Sequence, residues 1–189
     1  MLVASESREL AGIKDRDRWV MVVTGSGRES VMRVLREKPE VEGVISTGFC
    51  GALDPALEIG EILSWTESSG SRPLFVTTDQ VIVTAKNKQA LREKTGARVV
   101  DMESEAVAQK AAEWGLPFRY IRAVSDTADE DMPLDFNLYR TRDGNFSRFR
   151  IALAAARHPF TVAPGLLRLD RNCKLAAQKL GEFFVDCRL

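Results

Sequence analysis

The sequence has almost no histidine, few cysteines and no net charge. With one histidine in 189 residues, a zinc site would have to be built mostly from carboxylates or thiols, and no ligand cluster with suitable spacing exists. Cys50, Cys173 and Cys187 are odd in number and widely spaced, which is expected of reduced thiols in a cytoplasmic compartment. Lys plus Arg equals Asp plus Glu at 27 each, so no global field recruits nucleic acid or a membrane surface. The opening M-L-V-A-S-E-S-R-E lacks a basic segment followed by a long apolar run, so neither a signal peptide nor a membrane span is expected. There are no internal repeats and no low-complexity tracts. What remains is a chain long enough to bury a full core as one domain.

The apolar pattern alternates between short strand-like runs and helical periodicity. Strands are expected over residues 2–4, 19–23, 44–46, 61–65, 74–76, 80–84, 99–100 and 118–124. Helices are expected over 30–35 and 86–94, and in a segment beginning near Met102 that Gly115 and Pro117 close. Asp101 is placed to cap that last helix. From Phe146 the pattern is helical only, with one segment over 148–157, an interruption at H-P-F-T-V-A-P-G, and a terminal helix over 166–185. This succession predicts a single α/β domain over 1–189, with a mixed central sheet flanked by helices and a helical C-terminal extension from about residue 146.

Two carboxylates stand out. V-V-D-M-E-S-E-A-V-A-Q carries Glu103 near the start of a helix, and R-A-V-S-D-T-A-D places Ser125-Asp126 just past the carboxyl end of a strand. Open α/β sheets hold their ligands at such ends, so both acids are expected to face one crevice. As plain residues, Asp101, Glu103 and Asp126 would serve equally well as caps and surface charges. Two glycine-rich turns follow strands. T-G-S-G-R, with Gly25, Gly27 and Arg28, can present backbone donors to an anion, but it lacks the third glycine of the dinucleotide fingerprint. Gly48-Phe49-Cys50-Gly51 is a strand-to-loop bend where glycine permits close backbone approach. Cys50, without a histidine partner in view, reads as a small buried residue rather than a nucleophile.

Taken in order, T-G-S-G-R-E-S-V, V-I-S-T-G-F-C-G-A-L, I-G-E-I, V-D-M-E-S-E-A-V-A and R-A-V-S-D-T-A-D resemble the nucleoside phosphorylase and nucleosidase superfamily over roughly residues 1–140. Within it the chain is most similar to methylthioadenosine/S-adenosylhomocysteine nucleosidases and hopanoid-associated phosphorylase-like proteins. The resemblance implies a nucleoside phosphorylase-like fold and cleavage of an N-glycosidic bond in a purine nucleoside or a 5′-modified adenosine. It implies that Asp126 protonates the departing purine at N7, where a carboxylic acid holds a proton at the site of developing negative charge. Glu103 would hold the ribose hydroxyls, with Met102 beneath the sugar, Phe136 at its 5′ side, and Val81 and Ile82 against base or ribose. Ser125, Gly48 and Phe49 join the substrate-binding set. No cofactor and no metal is implied; a small-molecule nucleoside is the expected partner, and the chain is expected to be a homodimer or larger homo-oligomer that uses Phe49, Ala52, Leu53 and Leu57 for packing.

Departures from the family pattern bear on the nucleophile. Phosphorylases place an arginine and a serine in the loop matching residues 46–51 to grip phosphate, whereas this chain has Ser46 and Phe49. That favours water, because phosphate demands charged or multiple N–H donors. Glu9 is the nearest candidate to position the water, with Glu6 as the alternative because the spacing from Ala4 is one residue longer than in the nucleosidases. Arg8 and Arg28, with Gly25 and Gly27, keep phosphorolysis open. The chain also has only S-S-G-S-R-P where the family has a longer excursion between Trp65 and Leu74. A noncatalytic nucleoside-binding protein of the same fold is the third reading.

Overall fold

The computed structural model describes residues 1–66, 74–141 and 143–186. The chain runs β1 (Leu2–Ala4), β2 (Met21–Val23), α1 (Arg28–Val34), β3 (Val44–Ala52), β4 (Ile62–Thr66), β5 (Phe75–Thr77), α2 (Ala85–Thr95), β6 (Val99–Asp101), α3 (Ser104–Glu113), β7 (Phe118–Asp126), α4 (Arg148–Arg157) and α5 (Val162–Asp186). Among the described residues, seven strands form one mixed sheet in a single α/β domain. The long strand β3 organises it. β1 and β7 run parallel to β3, β6 pairs antiparallel with its last residues, and β4 pairs antiparallel with β7. β2 and β5 extend the sheet beside β1 and β6.

Strand alternation sends successive side chains to opposite faces, and each face has its own helices. Val44, Cys50, Ala52, Tyr120 and Val124 pack with Val31 of α1 and Ala106, Val107 and Ala111 of α3. On the other face, Ile45, Ile121 and Ala123 meet Leu10, Trp19 and three residues of α5, Ala176, Leu180 and Phe184. Leu180 is fully buried, and such burial stabilises by about 1.5–3 kcal/mol per side chain. The terminal helix therefore closes the core. It sits so close that a Cβ on Gly12 would lie 2.0 Å from the Ala177 carbonyl oxygen, and one on Gly181 2.0 Å from that of Gly12.

Several expected boundaries shift, each for a local reason. β3 continues to Ala52 because β6 and β7 both supply partners to its glycine-rich end. β7 likewise continues through Ser125-Asp126, which lie within the strand rather than past it. Residues 80–84 form no strand. Val81 N–H donates to the Asn137 side-chain oxygen (2.8 Å), Asn137 Nδ2 donates to Val81 O (3.0 Å), and Met132 N–H donates to Val83 O (2.7 Å), which makes the segment a loop tied to residues 132–137. α5 begins at Val162, with Pro164 in its first turn, where the missing N–H would have had no intrahelical acceptor. Ala52, Leu53 and Leu57 are buried in the protein's own core, so they are not available for the expected subunit contact. The shortened S-S-G-S-R-P segment and Cys187 lie outside the described residues. Among the described residues, no helix is long and apolar enough to cross a membrane.

Candidate active site

Beside the carboxyl ends of the parallel strands β1, β3 and β7, and against the antiparallel strand β6, a cavity of about 1490 Å³ opens, and Glu9, Glu103 and Asp126 all line it. A register shift in the β3–β7 pairing helps build it: Cys50 pairs with Val124 but Gly51 pairs with Asp126. The extra residue lets the consecutive side chains Ser125 and Asp126 both border the cavity, which strict alternation would prevent.

Each carboxylate is held differently. Glu9 sits in the 3₁₀ turn Ser7–Leu10 after β1. Its Oε2 accepts from Ser5 N–H (2.7 Å), Ser5 Oγ (2.9 Å) and Glu6 N–H (2.8 Å), and its Oε1 accepts from Phe49 N–H (2.8 Å). That approach requires Gly48, whose φ of 129° is in the range that favours glycine and where an added Cβ would lie 2.4 Å from Glu9 Oε1. Glu6 instead pairs with Arg8 at 2.8 Å. Asp126 Oδ1 takes the ammonium of Lys88 at 2.5 Å, and its Oδ2 accepts from Ser125 Oγ at 3.0 Å.

Glu103, at the N-terminus of α3, accepts from Gly27 N–H through Oε1 (2.8 Å) and faces Arg122 Nη2 through Oε2 (3.3 Å). Arg122 rises from the middle of β7, is 1% exposed, and also donates to Phe49 O (2.9 Å) and Ser46 Oγ (3.0 Å), with its Nε 3.2 Å from Asp101 Oδ2. Burial works against the guanidinium charge, but Asp101, Glu103 and Glu9 together hold its pKa above the ordinary arginine value. Asp101 completes the cluster. It accepts from the Glu103 and Ser104 amides, from Thr77 Oγ1 and from the Ser104 hydroxyl, so it caps α3 from within β6.

Burial pushes the Glu103 carboxyl up to about 7, outweighing Arg122, with Asp101 and Glu9 adding to the rise. A folded-state value above the ordinary 4.5 means the native protein binds the proton more tightly than the unfolded chain. The associated stability is full below the unfolded value and is lost as pH rises through about 7. Glu103→Gln, which keeps an oxygen for Gly27 N–H, is expected to flatten this dependence. Thermal melting of the wild type should fall more than that of the variant between about pH 5 and about pH 8; parallel curves would contradict the assignment.

The remaining expected residues divide clearly. Met102, Phe49, Ser125, Phe136, Val81, Ile82, Glu6 and Arg8 border the cavity with the three acids. Gly48 acts beneath it by admitting Glu9. Gly25 and Gly27 do not offer free donors, because their amides are bound to Ser5 O (3.0 Å) and Glu103 Oε1 (2.8 Å). Arg28 points away, donating to Gln109 Oε1 at 2.5 Å. Cys50 is buried and burial pushes its thiol well above the ordinary range, which suits a core residue. Sequence reasoning missed Arg122 and Lys88. The first left a trace, a charge in the middle of the apolar strand F-R-Y-I-R-A-V; the second left none, since α2 is otherwise a polar surface helix.

The architecture is an α/β fold, a mixed sheet with helices on both faces and an acid-lined cavity beside its strand ends. Residues 71–156 match the model of the phosphorylase superfamily. The chain is 26% identical to the 5′-methylthioadenosine/S-adenosylhomocysteine nucleosidase of Staphylococcus aureus strain JH9, over 67% of this chain and 76% of that protein. Solved structures share the fold. A futalosine hydrolase mutant of Helicobacter pylori superposes with a TM-score of 0.66 at 14% identity, covering 97% of this chain and 95% of that one. A mutant Helicobacter pylori nucleosidase with 5′-methylthioadenosine in its active site superposes with a TM-score of 0.65 at 14% identity, over the same shares.

Proposed function

We propose that this protein hydrolyses the N-glycosidic bond of a purine nucleoside or a 5′-modified adenosine. The observation that carries the reading is the convergence of Glu9, Glu103 and Asp126 on one cavity, each held by a different set of partners. The nucleosidase names of the relatives support the same reaction. In it, Asp126 meets the base and passes it a proton as the C–N bond breaks. Glu103 accepts hydrogen bonds from the ribose hydroxyls and offsets the positive charge that grows on the sugar, fixed in place by Arg122 and Gly27. Glu9 orients the attacking water and takes its proton. Four donors steady its carboxylate, which places the base before substrate arrives. Met102 and Phe136 supply apolar contact at the sugar, with Val81 and Ile82 against base or ribose.

Phosphorolysis is the competing reading, and one observation favours it: Arg8 borders the cavity, its guanidinium 5.8 Å from the centre of the Phe49 ring. Against it, Arg8 is paired with Glu6, Ser46 is bound to Arg122 and Ser104, and the amides of Gly25 and Gly27 are taken. Incubation of 5′-methylthioadenosine in phosphate-free buffer separates the two. Hydrolysis predicts release of adenine and a free 5′-substituted ribose at a rate that added phosphate does not raise. Dependence on phosphate, with the sugar 1-phosphate as product, would move the assignment to phosphorylase, and binding without any product would favour a noncatalytic role.

A further inference from the structure

Lys88 is the only buried residue of α2 among those described; at 1% exposure it has no contact with bulk water, although its helix is otherwise polar. Its ammonium has three acceptors, all from the end of β7 and the loop beyond: Asp126 Oδ1 at 2.5 Å, Thr127 O at 2.6 Å and Glu130 O at 3.4 Å. Burying an ammonium is costly, and joining α2 to the sheet does not require one, since Leu91 of the same helix already packs against the apolar cluster of Leu53, Ala97 and Val100. The charge is instead placed on the oxygen of the one cavity carboxylate that the reaction asks to give up a proton.

Lys88 Nζ donates directly to Oδ1 of Asp126, the side chain that meets the departing base, so a proton for that base can come through this contact. We propose that Lys88 is a positioning residue that stores, behind Asp126, the proton taken up by the leaving purine; this rests on the nucleosidase reading above. As the bond from sugar C1′ to the purine breaks, its electron pair moves onto the base. A proton passes from Lys88 Nζ to Asp126 Oδ1, and the Asp126 carboxyl delivers one to the purine. The water oxygen bonds C1′, and the water's proton goes to Glu9. Solvent then takes that proton from Glu9 and returns one to the Lys88 amine by way of the partly exposed Asp126 side chain, so substrate plus water become base plus sugar with no other reactant. The basicity of a departing purine anion rises toward that of an amine during the step, which matches an ammonium as donor better than an isolated carboxyl.

The test compares leaving groups. 5′-Methylthioadenosine needs a proton at the base, whereas p-nitrophenyl riboside releases a stable anion without one. Lys88→Met is expected to lower turnover of the purine substrate by about 10²-fold more than turnover of the nitrophenyl substrate. Lys88→Arg keeps the charge but not a releasable proton, and is expected to show the same selective loss. Equal losses on both substrates, no loss, or recovery of purine turnover in Lys88→Arg would overturn the proton route while leaving the nucleosidase reading standing. A wild type that opens neither substrate would overturn both. If Lys88→Met does not fold by circular dichroism, Lys88→Arg decides by the same comparison; failure of both to fold would make Lys88 a structural tie and reject the route.

Discussion

Asp126→Asn is expected to lose about 10²–10⁴-fold in turnover of a purine nucleoside while keeping the fold, because an amide cannot pass on a proton as a carboxyl group does. The fold should survive because Lys88 retains the carbonyl oxygens of Thr127 and Glu130 and gains the amide oxygen at position 126. Ground-state binding should change less than turnover, since the proton matters only as charge develops on the base. Steady-state kinetics on 5′-methylthioadenosine read both quantities. A variant that turns over at the wild-type rate would remove Asp126 from the chemistry, whatever its place in the cavity.

Arg122→Met is expected to have the largest effect on stability. Removal of this side chain leaves Asp101 and Glu103, both buried, facing each other without the cation between them. Breaking a buried ionic cluster from one side costs about 3–5 kcal/mol, and Met, though apolar and of similar length, restores none of the donors to Phe49 O and Ser46 Oγ. Urea unfolding at neutral pH should show the loss. The difference from wild type should shrink toward acid pH, where Glu103 is protonated and carries no uncompensated charge. A loss below about 1 kcal/mol would mean that the cluster contributes orientation rather than stability.

How much of this was readable from the chain differs by residue. The core strands β1, β3 and β7 and the helix carrying Glu103 were legible because short apolar runs and a closing Gly-x-Pro leave few alternatives. Residues 80–84 were misread because a β-rich composition looks the same whether its backbone pairs with a strand or with the side chain of Asn137, and that choice is made 56 residues away. The terminal helix was placed too late because a proline in a first turn breaks nothing. At the site, Glu9, Glu103 and Asp126 were visible as residues of a pattern, but the partners that set their behaviour were not. Gly27 reaches Glu103 across 76 residues, Phe49 reaches Glu9 across 40, and Lys88 reaches Asp126 across 38; no local spacing encodes such contacts. The glycine turn at 25–27 illustrates the limit, since its donors exist as expected but are satisfied by the protein itself.

The most direct test of the proposed site is a crystal structure of the Asp126→Asn variant, slowed enough to hold intact 5′-methylthioadenosine. The account predicts the purine edge against residue 126, the ribose hydroxyls on Glu103, and the sugar's C1′ turned toward a water held by Glu9. A nucleoside bound elsewhere, or bound in this cavity with its sugar away from both Glu103 and Glu9, would contradict it.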